Sequence, residues 1–437
     1  MSHIDRYGLP ISTRSEAAAA AYRDGVDRSL SAWPGAGAAF DAALEADDAF
    51  ALARVARARV LLLGGQPAAA RSEIALARAF FARDGTERER SHVEVFAHGI
   101  EGRPAQAMGA ALAHLDAWPR DAYVLSLLTG AFGLLAFSGM AGHDQARVDL
   151  CERMRRHYGE DWWFLTHLGW SHTENGNVRV GRGLSERALE LRWENASGVH
   201  GLLHAMFEDG SGDDADALVT RWLPGYDRAG VLHGHLCWHQ ALVMLERGDA
   251  ARALAIYTEH VRPGVNSGMP INRVSDAAGL LWRMNTDGHA VPAHLWDEAA
   301  NYAAEVYPQA SFPFADLHMA LLEAGTGRVA ALDSRIASLQ RQVDAGTLAA
   351  GPVVPALCRA LRAFADGAER QCAQILEPLL GEVVRVGGSH AQREIVEDTL
   401  LVAWMRCGEA GKARDLLEAR LSRRPSTRDR RWLAAGA

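Results

Sequence analysis

The chain has 437 residues, of which 49% are hydrophobic and 23% charged, so it can bury a large core. Its formal net charge of −8, with no basic stripe, excludes the usual electrostatics of nucleic-acid binding. The five cysteines form no CxxC pair, and no apolar stretch approaches the roughly 18 residues of a membrane span. The charged amino terminus does not resemble a signal peptide, so we expect a cytoplasmic protein.

Helical periodicity dominates the chain. Apolar residues recur at i, i+3, i+4 and i+7 in residues 51–63 and 251–261, whereas strand-like alternation rarely lasts four residues. Residues 162–177, WWFLTHLGWSHTENGN, resemble the first helix of a tetratricopeptide unit. A Gly/Pro-rich connection at residues 261–273 is predicted to be a hinge or a rim loop. The charge runs TERERSH and SRRPSTRDRR are predicted to be solvated faces.

A short turn that begins with glycine and enters a helix recurs along the chain, at Gly65, Gly102, Gly176, Gly212, Gly248, Gly327 and Gly408. The first five spacings between them are 37, 74, 36, 36 and 79 residues, and they indicate a period in the middle thirties, typical of paired-helix repeats. We therefore predict an all-α fold, an α-solenoid of tetratricopeptide-like helix pairs curled around a concave pocket. The predicted single domain covers 1–437, with N-terminal repeats in 1–160, histidine-rich pocket repeats in 161–395 and a capping repeat in 396–437.

Histidines occupy a common level in four first helices: His167, His239 and His318 lie nine residues before their turn glycines, and His204 eight before Gly212. His200 and His235 lie four residues before His204 and His239, so each pair shares one helix face. His233 is predicted to face the opposite side. Because first helices line the concave side of such repeats, these histidines are expected to converge in a pocket.

Other side chains are predicted to complete this pocket. Asp276 and Asp316 could each orient an imidazole through its second ring nitrogen, and Trp238 and Trp282 would supply an apolar wall. His390 and Arg393 lie three residues apart at a predicted helix start, where backbone N–H groups favour an anion.

The chain also resembles the tetratricopeptide repeat protein 38 family over nearly its whole length. The resemblance is carried by the segments His200–His204, His235–Tyr257, Asp276–Arg283, Asp316–Ala320 and GGSHAQR at Gly387–Arg393. It implies a tetratricopeptide-like superhelical fold and no particular activity. One departure is VHGLLH, where the family typically has VHAxAH.

The leading functional hypothesis is the binding of a small, anionic molecule or a peptide end. Its predicted ligand-binding residues are His200, His204, His235, Trp238, Trp282, Asp316, His390 and Arg393. The alternative is a hydrolase or lyase that uses His239, Asp276 and His318 for acid–base catalysis. A protein–protein scaffold is the third class.

No metal and no cofactor are predicted, because HExxH is absent and the histidines are spread over several repeats. The structural alternative is that these histidines are hydrogen-bonded packing residues between helices. The expected partner is a small molecule or peptide, without nucleic acid or membrane, and homodimerisation is compatible with this reading.

Overall fold

The structure, a computed structural model, describes residues 3–310 and 312–436. For residues 81–84 it describes the backbone alone. The chain packs as two compact units. Unit 1 is formed by Met1–Leu135, Asp144–Asn175 and Val180–Leu202, and unit 2 by Ala136–His143, Gly176–Arg179 and Leu203–Ala437. This division does not follow the predicted boundaries at residues 160 and 395, so that domain scheme stays a prediction.

Unit 1 is built mainly from ten helices. They are α1 (Glu16–Ser31), α2 (Ala36–Ala46), α3 (Ala51–Leu63), α4 (Pro67–Asp84), α5 (Glu87–Ile100), α6 (Pro104–Ala117), α7 (Ala122–Thr129), α8 (His143–Tyr158), α9 (Trp162–Glu174) and α10 (Val178–Leu191). A two-stranded antiparallel hairpin, β1 (His3–Ile4) and β2 (Pro10–Ile11), precedes them and pairs His3 with Ile11. The next helix, α11 (Ala196–Glu208), crosses the division between the units.

Unit 2 contains the last part of α11 and twelve further helices. They are α12 (Gly212–Trp222), α13 (His233–Arg247), α14 (Ala250–Ile256), α15 (Pro270–Thr286), α16 (Ala293–Val306), α17 (Pro313–Gly325), α18 (Val329–Asp344), α19 (Val353–Ala365), α20 (Glu369–Leu376), α21 (His390–Cys407), α22 (Ala410–Arg423) and α23 (Thr427–Ala434). A π-helical turn, Tyr257–Val261, extends α14. The predicted all-α class of paired helices is confirmed.

The glycine turns end the first helix of each pair, as predicted, with one correction. Six of the seven glycines adopt positive φ, between 66° and 84°, a conformation that only glycine reaches without strain. Gly212 instead begins α12, and Gly210 makes the turn with φ 76°. His204 therefore lies six residues before its turn glycine, and the inferred common level of four histidines does not include it. Gly288 and Gly367 make further turns of this kind and divide the long spacings.

The first helices of unit 2 pack on one another in order, from α13 to α15, α17 and α19. Helix α15 also contacts α21, which follows it by more than 100 residues. Trp282 Nε1 donates to Thr399 Oγ1 at 2.9 Å, and Arg283 donates to the Ala391 carbonyl at 2.6 Å. Of the 17 residues of α15, 13 are buried, so the packing of α21 and the neighbouring helices leaves little of α15 exposed to solvent.

A buried ion network joins the helices at this contact. Arg420, 1% exposed, donates to Asp398 and Asp429 at 2.9 Å each and lies 3.2 Å from Glu394. Arg428 donates to the same Asp398 at 2.9 Å. Burial raises the pKa of Glu394, but the surrounding arginines outweigh it and hold the pKa well below its usual range.

The predicted solvated charge runs are therefore wrong in part. Within SRRPSTRDRR, Arg424, Arg428 and Asp429 are buried in the ion network of unit 2. Within TERERSH, Arg88 and His92 are buried in unit 1, and both contact the Asp121 carboxylate. Charge patterning alone could not show this, because each charge is matched by a partner far away in sequence.

In the described ranges, no helix is both long and apolar enough to cross a membrane.

We predict that Arg420→Met lowers the free energy of unfolding by about 3–5 kcal/mol, because it leaves buried carboxylates without their cation. Urea unfolding followed by circular dichroism measures the change. Lys412→Ala is the matched control, since Lys412 forms an exposed ion pair with Glu377 at 2.7 Å and should leave the unfolding midpoint unchanged. Equal midpoints for both variants would contradict the structural role of the network.

Candidate functional site

Three histidines come together where α11 meets α13 within unit 2. His204, His235 and His239 are 1%, 3% and 4% exposed, and each offers a ring nitrogen within 4.8 Å of the others. The ring centroids of His204 and His239 lie 4.5 Å apart, and those of His235 and His239 lie 5.0 Å apart, both pairs nearly perpendicular. The i, i+4 spacing on α13 places His235 and His239 on one face, as predicted. We refer to these three residues as the histidine cluster.

Asp276 on α15 orients one ring of the cluster. Its two carboxylate oxygens both lie 2.9 Å from His235 Nδ1, and its side chain is fully buried. Burial raises the pKa of Asp276, although the contact with His235 opposes the rise. Since an ionised carboxylate only accepts, His235 donates through Nδ1, and a further group can be bound only through Nε2. The imidazole that Asp276 contacts is that of His235.

Trp238 encloses the cluster on α13. Its indole stacks on the His235 ring at 5.3 Å and meets the His239 ring edge-on at 5.0 Å. It is 1% exposed, and the Arg283 guanidinium lies 5.8 Å from its ring centroid. The predicted aromatic wall is thus part of a packed interior, where low polarity strengthens any electrostatic contact made by the histidines.

The opposite face of α13 carries a second group that the sequence analysis missed. His233 and Cys237 lie there together with His260 from the π-helical turn, with candidate ligand atoms within 4.8 Å of one another. Burial, and then the neighbouring His260, lower the pKa of His233 to about 4. Burial also raises the pKa of Cys237 to about 12, so its thiol is a poor nucleophile at neutral pH. The sequence shows that His233 and Cys237 lie four residues apart and so share a helix face. It does not show that His260, 23 residues further on, lies beside them.

Three of the remaining predicted residues make their own packing contacts. Trp282 is bound to Thr399 as described above, and Asp316 accepts from Arg335 at 2.6 Å and from the Phe312 backbone at 2.8 Å. His318 contacts the Phe314 carbonyl at 2.7 Å through Nδ1, and burial lowers its pKa to about 4. Asp316 therefore pairs with an arginine where an imidazole was expected.

The GGSHAQR segment forms the start of α21. Gly387 and Gly388 have φ of 84° and 74°, and a Cβ on Gly387 would lie 2.6 Å from the Ala136 carbonyl oxygen. The Ser389 hydroxyl oxygen caps the helix by accepting from the backbone N–H of Gln392. Arg393 donates to the Gly388 carbonyl at 2.5 Å. Helix capping and close packing therefore account for most residues of this motif.

His390 faces a carboxylate of the chain itself. Its Nδ1 lies 2.8 Å from Glu208 Oε1, and the two side chains are 29% and 13% exposed. Burial lowers the pKa of His390, but the hydrogen bond and charge of Glu208 outweigh burial and raise it. The predicted anion position beside His390 is thus occupied by Glu208. Anion binding by His390 and Arg393 stays a prediction.

Two histidines of unit 1 have contacts within that unit. His200 stacks on Trp170 at 5.4 Å, and His167 Nδ1 contacts Thr129 at 3.0 Å. Burial lowers the pKa of His167 to about 4. A further group, which sequence reasoning missed, joins His92 and His114 to Asp121, at 3.0 Å and 3.2 Å.

The chemistry open to the histidine cluster follows from its burial. Imidazoles that are 4% exposed or less cannot meet a substrate from solution without a rearrangement of the helices. They can hold one another, a buried carboxylate or a small ion. The predicted roles of His239, Asp276 and His318 in catalysis therefore stay predictions.

No protein-family model matches the chain. Among solved structures it is similar to yeast Tom70, with 13% identity, coverage of 80% of this chain and 88% of that chain, and a TM-score of 0.39. It is also similar to the TPR domain of P58(IPK), with 12% identity, 90% and 89% coverage and a TM-score of 0.23. A third similar structure is Naa15/Naa10 bound to HypK-THB, with 11% identity, 93% and 63% coverage and a TM-score of 0.21. Likeness at this level transfers no function.

We predict that the stability contributed by His390 depends on pH. Because its pKa is raised above 6.5, its ion pair with Glu208 stabilises the fold fully below pH 6.5 and is lost as pH rises through the folded-state pKa. The unfolding midpoint of His390→Gln should therefore differ most from wild type in acid. His318→Gln is the control of opposite sign, since its lowered pKa costs stability as pH falls from 6.5 towards 4. Parallel pH profiles for the two variants would contradict this assignment.

Proposed function

We propose that the chain is a protein-binding scaffold whose partners dock on the outer faces of the helix pairs. The observation that supports this most directly is the burial of α15, which packs against α13, α17 and α21 and has 13 of its 17 residues buried. Several residues predicted to line a small-molecule pocket are buried in this packing. Trp238, Trp282 and His318 are each 2% exposed or less. Stacked helix pairs present extended surfaces to partners.

Helix α10 in unit 1 has exposed apolar side chains towards both of its ends. Val180 and Leu191 are 46% and 40% exposed, and Trp193, just after the helix, is 45% exposed. Val180 and Leu191 are 11 residues apart, which is about three helical turns, so they lie along one face. Arg187, seven residues after Val180, lies on the same face and is 43% exposed, so a partner there would meet apolar side chains beside a charged one. We take this α10 face as the first candidate for partner contact.

Membership of the tetratricopeptide repeat protein 38 family is part of the same proposal. It is supported by GGSHAQR, whose glycines, cap and histidine each have a defined contact at the start of α21. Binding of a small, anionic ligand is the second candidate function. It is supported by His390, a partly exposed side chain at a helix start whose ring already holds the Glu208 carboxylate; an anionic ligand would have to displace Glu208.

We predict that a photo-crosslinking amino acid placed at Val180 or at Leu191 captures one and the same protein in cells that make this chain. Val180→Asp with Leu191→Asp should abolish its co-purification, because carboxylates would be desolvated on docking. Mass spectrometry of the crosslinked bands measures both results. Both positions are exposed, so the thermal unfolding midpoint should not change.

Val329→Asp is the matched control, since Val329 is 39% exposed on α18 in unit 2. An equal loss of the partner with this control would contradict the role of the α10 face. If no position on either unit yields a crosslink, the scaffold proposal is wrong, and small-ligand binding at His390 becomes the better reading.

A further inference from the structure

The histidine cluster places three buried imidazoles close together. His204 comes from α11, and His235 and His239 come from α13, with candidate ligand atoms no more than 4.8 Å apart. We propose that His204, His235 and His239 bind a divalent first-row transition-metal ion, for which zinc is the best candidate. This site goes beyond the proposed scaffold function and does not depend on it.

The dimensions of the cluster suit such an ion. Bonds of about 2.0–2.1 Å from zinc to imidazole nitrogens place tetrahedral ligand atoms roughly 3.4 Å apart. The observed limit of 4.8 Å is therefore closed by inward ring movements of about 1 Å. Imidazole is a borderline donor that suits zinc, copper, nickel and iron, and it disfavours calcium and magnesium. Three ligands leave the fourth tetrahedral position for water or another donor.

Asp276 supplies the second feature of a metal site. A histidine that binds a metal usually donates its other ring N–H to a carboxylate, which fixes the tautomer and raises the basicity of the ligand nitrogen. His235 has this arrangement, with Nδ1 at 2.9 Å from both oxygens of fully buried Asp276. The charge of Asp276 also offsets part of the positive charge that a divalent ion would bring into the interior.

Two other groups of donors lack these features. Cys237 and its neighbours His233 and His260 would need a thiolate, which burial disfavours. In unit 1, Asp121 is shared with the Arg88 guanidinium at 2.7 Å, so an ion there would be repelled by a fixed cation. The histidine cluster is therefore the group whose charge and geometry both suit a divalent ion.

We predict that tag-free full-length protein, stripped with a chelator and dialysed, binds one Zn²⁺ per chain in competition with a chromophoric chelator. His239→Ala and His204→Ala should each lower the affinity at least 10-fold, since each removes a direct ligand. Zinc should also raise the thermal unfolding midpoint of wild type and not that of His239→Ala. His318→Ala is the matched control, because it removes a buried histidine of unit 2 that lies on another helix and contacts the Phe314 carbonyl.

Three results would contradict the proposed site. In the first, the wild-type protein binds no stoichiometric zinc, and in the second, His239→Ala keeps full zinc affinity. In the third, His260→Ala loses zinc while His204→Ala and His239→Ala keep it. Zinc K-edge absorption of the wild-type protein needs no variant. Nitrogen scatterers at about 2.0 Å support the histidine cluster, whereas sulfur at about 2.3 Å places the ion at a cysteine and refutes the proposal.

Asp276→Asn tests the orienting carboxylate separately. The amide keeps the shape and can still accept from His235 Nδ1, but it removes the negative charge. We predict that the zinc affinity falls about 10–100-fold while the stoichiometry stays at one per chain. Asp316→Asn is the control, since that buried carboxylate pairs with Arg335 and should leave zinc affinity unchanged. Equal losses in both variants would mean that Asp276 acts through the fold and not through the metal.

Discussion

The structure of unit 2 depends on a buried arrangement of charges around α21. Arg420, Asp398 and Glu394 are each 3% exposed or less, and they tie α21 to α22. Arg283 reaches the same helix from α15, and burial lowers its pKa to about 10 although Asp398 opposes this. Desolvating so many ions is costly, and the cost is offset only when every partner is present in its place. A packing of α15 against α21 that separated these ions would therefore leave buried charges without partners.

That packing determines which chemistry the histidines can carry out. With α21 against α15, the first helices of unit 2 are covered on both sides, and their polar residues become part of the core. A buried imidazole is tolerated where a carboxylate or a backbone carbonyl accepts its N–H, as Asp276 does for His235 and Phe314 for His318. The same burial that removes substrates from these rings also protects a bound ion from exchange with solvent.

The sequence predicted local features well because local rules determine them. Glycine turns at positive φ and the i, i+4 pair His235 and His239 depend only on residues close in the chain. The contact of α15 with α21 joins segments more than 100 residues apart, and no periodicity encodes it. For the same reason, SRRPSTRDRR was wrongly predicted to be a solvated face. Arg428 in this run is buried and pairs with Asp398, 30 residues away in sequence. Gly212 was misassigned because Gly210, two residues earlier, offers the same turn chemistry.

An ion in the histidine cluster and a partner on an outer face would act on different parts of the molecule. Zinc held by His204 and His239 would join the last turn of α11 to α13 and would act as folding free energy for unit 2. The exposed face of α10 belongs to unit 1, and its apolar side chains make no use of the cluster. A change in metal content should therefore alter the stability of unit 2 without altering the chemistry of the α10 face. Coupling between the two would require that unfolding of unit 2 also loosens α10, which is a property of the fold and not of the metal site.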